Sequence, residues 1–244
     1  IRAEWRLIVA SLLAVYGLAG IGWILVGRDL ALAYSLMDPR VVSDEIAQLR
    51  ALEDGAAFRG NFTFGQGESP LLAGSVMGNN LQISVLFFAS ALVPPLYLLV
   101  LCSNALMLGT YTAVAGHWGQ AGAISSILWC HGALEIQAIV LAGTAGLVLV
   151  RALIAPGPWS RAEALRSAGA RAFQLLAPVL PMLVAAGLIE GYVSPHAGFA
   201  LRGAVACASL ALLLWWVLFC GRKQAKPPAA RSREPAALGV EPGG

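Results

Sequence analysis

Long apolar stretches separated by short polar connections dominate the pattern along this chain. A bilayer core of about 30 Å requires about 20 mostly apolar residues per helix. Six stretches approach that length: 5–26, 81–98, 99–116, 124–150, 173–193 and 199–220. They predict six transmembrane helices. The second and third belong to one apolar run that Pro94-Pro95 and Ser103-Asn104 interrupt, so that two short helices and a re-entrant hairpin both fit.

Two of the polar connections also carry helix signals. Asp38-Pro39 places a capping residue before a proline at the first helical position. An amphipathic repeat follows, at Val42, Ile46, Leu49 and Leu52. Ser160-Arg-Ala-Glu163 has the spacing of a capping box and predicts a short helix to about Ala168. The glycine- and aromatic-rich stretch 58–70 is predicted to be a loop.

Composition supports a membrane protein. Apolar residues make up 58% of the chain, charged residues make up 12%, and the mean hydropathy is +0.74. These values lie well outside the usual balance of a soluble globular domain. We therefore expect an all-α polytopic membrane protein in which residues 1–221 form a single transmembrane domain. Membrane lipid is its expected surrounding, and no nucleic-acid partner is expected.

Basic residues predict the orientation of the chain. The loop 151–171 carries four arginines and one acidic residue, and five lysines or arginines follow Gly221. By the positive-inside rule, this loop and both termini lie in the cytoplasm. The segment 27–78 then faces outward, and the basic tail 222–244, rich in proline and alanine, is predicted to be disordered. The sequence begins at Ile1 rather than at a methionine, so a preceding segment is expected.

Ionisable residues inside the predicted spans are the strongest functional signal. His131 and Glu135 lie one helical turn apart on one face of the fourth span. Each ionisable group at such a position costs roughly 2.5–3.5 kcal/mol on insertion scales. At 1.5 Å per residue they lie about 10 and 16 Å below the outer end of that span, and Glu190 lies about 5 Å below the same surface. Three asparagines complete the candidate polar cluster: Asn79, Asn80 and, at a deeper level, Asn104.

Three roles fit these side chains. In the first, they bond to one another and stabilise helix packing. In the second, a carboxylate and an imidazole line a water-filled path for a proton, a cation or a small solute. In the third, His131, Glu135 and Glu190 bind a metal ion such as zinc and leave a fourth position open for hydrolysis. The second histidine of the His-Glu-x-x-His zinc helix is absent, so we expect neither an enzyme nor a bound cofactor.

Small residues predict close packing between helices. Gly143 and Gly146 follow the polar pair by about two turns, and Gly132 adjoins His131. Such residues let the backbones of two transmembrane helices approach one another. The first span carries a similar set, at Gly17, Gly20 and Gly22.

An ordered series of motifs resembles the stage II sporulation protein M family of bacterial and archaeal integral membrane proteins. The series is Gly78-Asn-Asn80, Asn104 before Gly109, His131-Gly-Ala-Leu-Glu135, Ala142-Gly-Thr-Ala-Gly146, Pro156-Gly157 with Arg161, and Ile189-Glu190. It covers roughly residues 75–198, and the His-Gly-x-x-Glu element with the following Ala-Gly-x-x-Gly is its most specific part. The family usually has Asn-Gly where this chain has Asn104-Ala105, which puts a role for glycine at 105 in doubt.

The resemblance implies a multi-pass protein of the bacterial inner membrane. In endospore formers the founding member helps to hold a peptidoglycan-degrading complex at the membrane, and relatives elsewhere occur near genes for MoxR-type ATPases. We therefore expect a non-enzymatic scaffold for cell-envelope partners, which can include further copies of this chain. The alternatives are a small channel or transporter that uses His131, Glu135 and Glu190, and an intramembrane metal-dependent hydrolase.

Overall fold

The computed structural model describes residues 2–51 and 69–219, and these residues are helical with no β-strand. Short 3-10 turns at Arg2–Glu4 and Leu30–Leu32 accompany the α-helices. In chain order the α-helices of the described residues are α1 Trp5–Arg28, α2 Ala33–Leu36, α3 Pro39–Ala51, α4 Ser69–Ser90, α5 Pro94–Gly116, α6 Ala121–Ile154, α7 Arg161–Leu176, α8 Val179–Tyr192 and α9 Phe199–Phe219. The predicted all-α class is confirmed.

Five helical segments among the described residues are long and apolar enough to cross a bilayer: α1, α5, α6, the run Arg161–Tyr192 and α9. Helix α4 has the length for a sixth crossing, at 22 residues. It is less apolar because Asn79, Asn80 and Gln82 follow one another within one turn. The prediction of a polytopic helical membrane protein is therefore confirmed, with α4 as the most polar of its long helices.

The apolar run before Gly116 is divided differently from the prediction. Two short spans at 81–98 and 99–116 were expected, whereas α4 and α5 are 22 and 23 residues long and meet at a turn over 91–93. Pro94 and Pro95 occupy the first positions of α5, where a missing amide hydrogen has no cost. Val93 before them is not helical (φ −124°, ψ 87°), as a residue that precedes proline prefers. The prolines therefore begin a helix rather than interrupt one.

Helices α7 and α8 form one bent unit. The capping box at its start is confirmed, since the Ser160 hydroxyl accepts from the Glu163 amide and the Glu163 carboxylate accepts from the Ser160 amide. The helix continues past the predicted end at Ala168, and a two-residue turn at Ala177-Pro178 separates it from α8. A proline inside a helix removes one backbone hydrogen bond, and the bend allows α8 to pack against α4 and α6.

Helix α6 is the centre of the bundle. Its most apolar window is 78% buried, compared with 17% for α1 and 6% for α9, so the outer helices leave most of their apolar surface for lipid. Helices α1, α4, α5, α7, α8 and α9 all contact α6. An apolar core therefore surrounds α6 from its middle to its C-terminal half.

Only some of the predicted small residues lie at close helix contacts. A Cβ atom at Gly146 would lie 2.8 Å from the Phe87 carbonyl oxygen and 2.8 Å from the Tyr97 ring. Gly143 faces the same two aromatic residues at ordinary contact distance. These two glycines therefore allow α6 to pack against the α4–α5 hairpin.

The other glycines divide between close contacts and open space. A Cβ at Gly132 would meet only Ile136 of its own helix, and Gly17 and Gly20 have open space among the described residues. Gly22 of α1 does lie against the α5 backbone, where its Cβ would come 2.6 Å from the Leu106 carbonyl oxygen. Gly109 of α5, which the pattern did not single out for packing, is crossed closely by the α1 backbone.

The predicted amphipathic helix is α3. The Asp38 carboxylate accepts from the Arg40 amide at its start, and Val42, Ile46 and Leu49 are buried against Val26, Ala113 and Val114. Leu52, most of the predicted loop 58–70 and the tail 222–244 lie outside the described residues. Helix α4 begins at Ser69, so the last ten residues of the segment predicted to face outward, 27–78, are helical.

Candidate functional site

His131, Glu135 and Glu190 meet between α6 and α8. His131 Nε2 lies 3.8 Å from Glu135 Oε2 and 3.8 Å from Glu190 Oε2. One ligand atom from each of the three residues lies within 4.8 Å of the other two. The spacing of His131 and Glu135 follows from the α-helical repeat. The approach of Glu190 depends on the packing of α8 against α6.

These side chains are largely removed from solvent within the chain. His131 is 4% exposed and Glu190 is 2% exposed, whereas 18% of the Glu135 side chain remains accessible. Glu135 Oε2 and Glu190 Oε2 are buried and accept no hydrogen bond from the described residues. Buried carboxylate oxygens without a donor are uncommon in proteins and call for an explanation.

The far side of the histidine ring is anchored by the connection between α8 and α9. His131 Nδ1 lies 3.2 Å from the hydroxyl oxygen of Ser194, which is fully buried. Arg202 of α9 donates from Nε to the Ser194 carbonyl at 2.8 Å and from Nη1 to the Ser126 hydroxyl at 3.4 Å. The imidazole is therefore held with Nε2 directed toward the two glutamates.

The predicted asparagines border the same space. Asn80 is buried, accepts from Asn79 Nδ2 at 3.3 Å, and makes a polar contact with the Glu135 carboxyl group. Asn104 of α5 donates to the Val100 carbonyl of its own helix at 2.8 Å. All three asparagines line the cavity that the triad faces.

This cavity has a volume of about 530 Å³. Its polar lining comes from the triad, the three asparagines, Ser75 and Tyr111, and most of the remaining wall is apolar. Met37 and Val41, from the α2–α3 region, close one side. A largely apolar cavity with a few converging polar groups is the usual form of a small-ligand site. The six predicted cluster residues thus share one cavity, and their role in function remains a prediction.

The charges around the triad favour a positive occupant. Within residues 2–51 and 69–219, no lysine or arginine forms an ion pair with Glu135 or Glu190. Arg202, whose partner Ser194 contacts the imidazole of the triad, bonds to Ser194 and Ser126 instead. Two carboxyl groups beside one imidazole can bind a proton or a metal cation, which would offset the charge of buried carboxylates that lack a basic partner.

Sequence reasoning missed a further acid, outside the triad, that is buried near this cavity. Glu45 of α3 is 1% exposed and accepts from the Tyr111 hydroxyl at 2.8 Å, and Tyr111 lines the cavity. The repeat of Val42 and Leu49 places position 45 on the buried face of α3, which is a signal that the sequence contains. No pattern in the sequence marks Tyr111 or Ser194.

Comparison with known proteins gives one match. The family model described as "Stage II sporulation protein M" matches residues 8–195, a range that contains the triad, the three asparagines, most of α1 and the whole of α2 to α8. No curated protein and no solved structure matches the chain significantly.

Proposed function

This chain belongs to the stage II sporulation protein M family, and from that premise we propose that it is a multi-pass protein of the bacterial inner membrane whose intramembrane cavity binds and passes a proton, a cation or a small cationic solute. The observation that carries the proposal is the convergence of His131, Glu135 and Glu190 on one cavity of about 530 Å³. The proposal includes no catalytic step.

Purely structural polar contacts would be arranged differently. Polar groups that only stabilise helix packing pair directly with a neighbouring helix and satisfy one another. Here two buried carboxylate oxygens accept no hydrogen bond from the described residues, and Asn80 and Asn104 line the same cavity. Ionisable groups that face a cavity inside a membrane commonly mark an ion or proton pathway.

The direct test is flux through proteoliposomes. Purified protein is reconstituted with a pH-sensitive dye inside the vesicles, and a proton or potassium gradient is imposed. We expect flux in the wild type and a decrease of about tenfold or more in Glu135→Gln and Glu190→Gln, because both variants remove a carboxylate from the cavity.

A matched control is Asp44→Asn, which removes an equivalent charge from the exposed face of α3. This variant is expected to keep wild-type flux. Absence of flux in the wild type, or equal flux in the wild type and the two cavity variants, contradicts the transport proposal.

Helix α9 supports a second candidate, the scaffold role that the family resemblance implied. Only Ser209 of α9 is buried within the chain. The exposed small residues of α9 recur at helical spacing: Ala200, Gly203, Ala204, Cys207, Ala208 and Ala211. A stripe of small residues allows close association with a second transmembrane helix. We therefore propose, as the second candidate, that α9 joins the protein to a further copy of itself within an envelope assembly.

Cysteine crosslinking in native membranes tests the α9 contact. With Cys102, Cys130 and Cys220 replaced by serine, Cys207 is expected to form a disulfide-linked dimer on mild oxidation. The matched control replaces Cys207 by serine and introduces Ser209→Cys on the buried side of the same helix. Equal crosslinking in the two proteins, or none in either, contradicts self-association through this stripe.

A further inference from the structure

We propose that His131, Glu135 and Glu190 form a binding site for one divalent transition-metal ion of the zinc type. This inference deepens the proposed cavity function, on which it rests, by naming the chemical class of the occupant. Imidazole nitrogen and carboxylate oxygen are both ordinary zinc ligands, and three protein ligands with an open fourth position are typical of reactive or exchangeable zinc.

The distances fit a metal that draws the three groups together slightly. Zinc binds nitrogen and oxygen at about 2.0–2.2 Å, so the ligand atoms of a regular tetrahedron lie about 3.4 Å apart. The His131 nitrogen lies 3.8 Å from one oxygen of each glutamate. The ligand atoms of all three residues lie within 4.8 Å of one another, so side-chain movements of less than about 1 Å at each residue reach this spacing.

The groups around the triad resemble the outer shell of a metal site. A ligating histidine usually donates its other ring N–H to a nearby oxygen, which fixes the orientation of the ring. The Ser194 hydroxyl oxygen is placed to accept that hydrogen from Nδ1 at 3.2 Å, and Arg202 holds the Ser194 backbone in place. Asn80 makes the corresponding contact with the Glu135 carboxyl group.

Charge also favours a divalent ion over an empty site. Two ionised carboxylates and a neutral imidazole carry two formal negative charges, which one divalent cation cancels. The oxygens at Glu135 Oε2 and Glu190 Oε2 are both buried without a hydrogen-bond donor from the described residues, and they lie on the side where the ion is proposed. The cavity supplies room for water or a substrate atom at the fourth position.

Cobalt(II) is a suitable probe because tetrahedral cobalt absorbs strongly in the visible range. Detergent-purified protein without an affinity tag is stripped with a chelator and titrated with cobalt chloride, and zinc chloride is then added. We expect one equivalent of cobalt per chain with intense d–d absorption, and loss of that absorption when zinc displaces it.

Variants assign the signal to the triad. Glu190→Gln keeps the size of the side chain and is expected to weaken cobalt binding by about 100-fold or more, whereas Ser194→Ala weakens it by about tenfold and retains the spectrum. Asp44→Asn leaves it unchanged. Thermal melting of each metal-free variant shows whether it is folded. Zinc is expected to raise the melting temperature of the wild type and to leave that of Glu190→Gln unchanged.

The outcomes separate this inference from the transport proposal. Absence of stoichiometric cobalt binding in folded wild-type protein, or equal binding by Glu190→Gln, overturns the metal site. Proton or potassium flux that Glu190→Gln abolishes, with no metal bound by the wild type, leaves the cavity function standing and removes the metal. Metal binding without flux of protons, potassium or the metal itself supports the metal site and contradicts the transport proposal.

Discussion

The two halves of α6 differ in how they meet their neighbours. Toward its N-terminal end, His131 and Glu135 face a cavity of about 530 Å³ together with Glu190. About two turns after Glu135, Gly143 and Gly146 present no side chain, and the rings of Phe87 and Tyr97 fill the space. One helix therefore contains an open polar region and a closely packed apolar region.

This difference indicates where stability and function reside. The packed half joins α6 to the α4–α5 hairpin through ring contacts and the bond from the Tyr97 hydroxyl to the Gly143 carbonyl at 2.8 Å. The polar half leaves buried oxygens without donors, an arrangement that stability alone does not favour and that is common at functional sites. Substitutions in the packed half should therefore lower stability, whereas substitutions in the polar half should impair function with little loss of stability.

The largest effect is expected from Gly146→Ala in the packed half. The added methyl group meets the Phe87 carbonyl oxygen and the Tyr97 ring at 2.8 Å, and overpacking of this kind costs about 3 kcal/mol. Thermal unfolding in detergent should show a much lower midpoint. Gly17→Ala, where no heavy atom of a neighbouring described residue lies within 4 Å of the added Cβ, is the matched control, and equal midpoints for the two variants would show that the α6 contact is not tight.

The next effect is expected at the rim of the cavity, from Tyr111→Phe. The substitution removes the hydroxyl that donates to buried Glu45 at 2.8 Å, and a hydrogen bond to a charged group contributes about 2 kcal/mol. Hydrogen exchange should accelerate in α3 while the α6 core stays protected. Tyr34→Phe, at an exposed tyrosine, is the control; unchanged exchange in α3 would mean that this bond does not hold α3 in place.

A smaller loss is expected from Tyr97→Phe in the packed half. The ring contacts with Phe87 remain, and only the bond to the Gly143 carbonyl is lost, which costs about 1 kcal/mol. Thermal unfolding measures the difference, with Tyr192→Phe at the exposed end of α8 as the control. A loss as large as that of Gly146→Ala would mean that the hydrogen bond, rather than the packing, provides most of the stability of this half.

The smallest change in stability is expected from Glu190→Gln in the polar half. Neutralising a buried carboxylate that lacks a donor should change the free energy of unfolding by about 0.5 kcal/mol or less, or raise it slightly. The same thermal unfolding assay applies, beside the flux assay that this variant is expected to fail. A loss of stability comparable to that of Gly146→Ala would make the triad a packing device and remove the contrast between the two halves.

Much of the fold follows from local pattern. The helical character of the apolar runs, the capping box at Ser160 and the Asp38-Pro39 helix start depend on residues within one or two turns, and all are present in the structure. The division of the run before Gly116 was mispredicted because a proline pair can end one helix or begin the next. In the structure the turn lies between Phe87 and Tyr97, whose rings pack together across it.

The candidate site likewise has some features that the sequence predicts and others that it does not. The face shared by His131 and Glu135 is a property of any α-helix, and the position of Glu45 on the buried face of α3 could have been noted from the same repeat. The contacts with Tyr111 and Ser194 could not, because a tyrosine or a serine in an apolar chain is compatible with many environments. Only the packed structure brings Tyr111 to the cavity and Ser194 to the His131 ring.

The sequence by itself determined that this protein is a helical membrane protein and that its ionisable residues occupy costly positions, since hydropathy and helical periodicity are local properties. The tertiary structure alone decided that Glu190 meets His131, that six predicted polar residues share one cavity, and that Gly146 rather than Gly132 allows two helices to approach. These facts depend on how α4, α5 and α8 pack around α6. Packing of distant segments depends on the shape of many side chains at once, which no local pattern specifies.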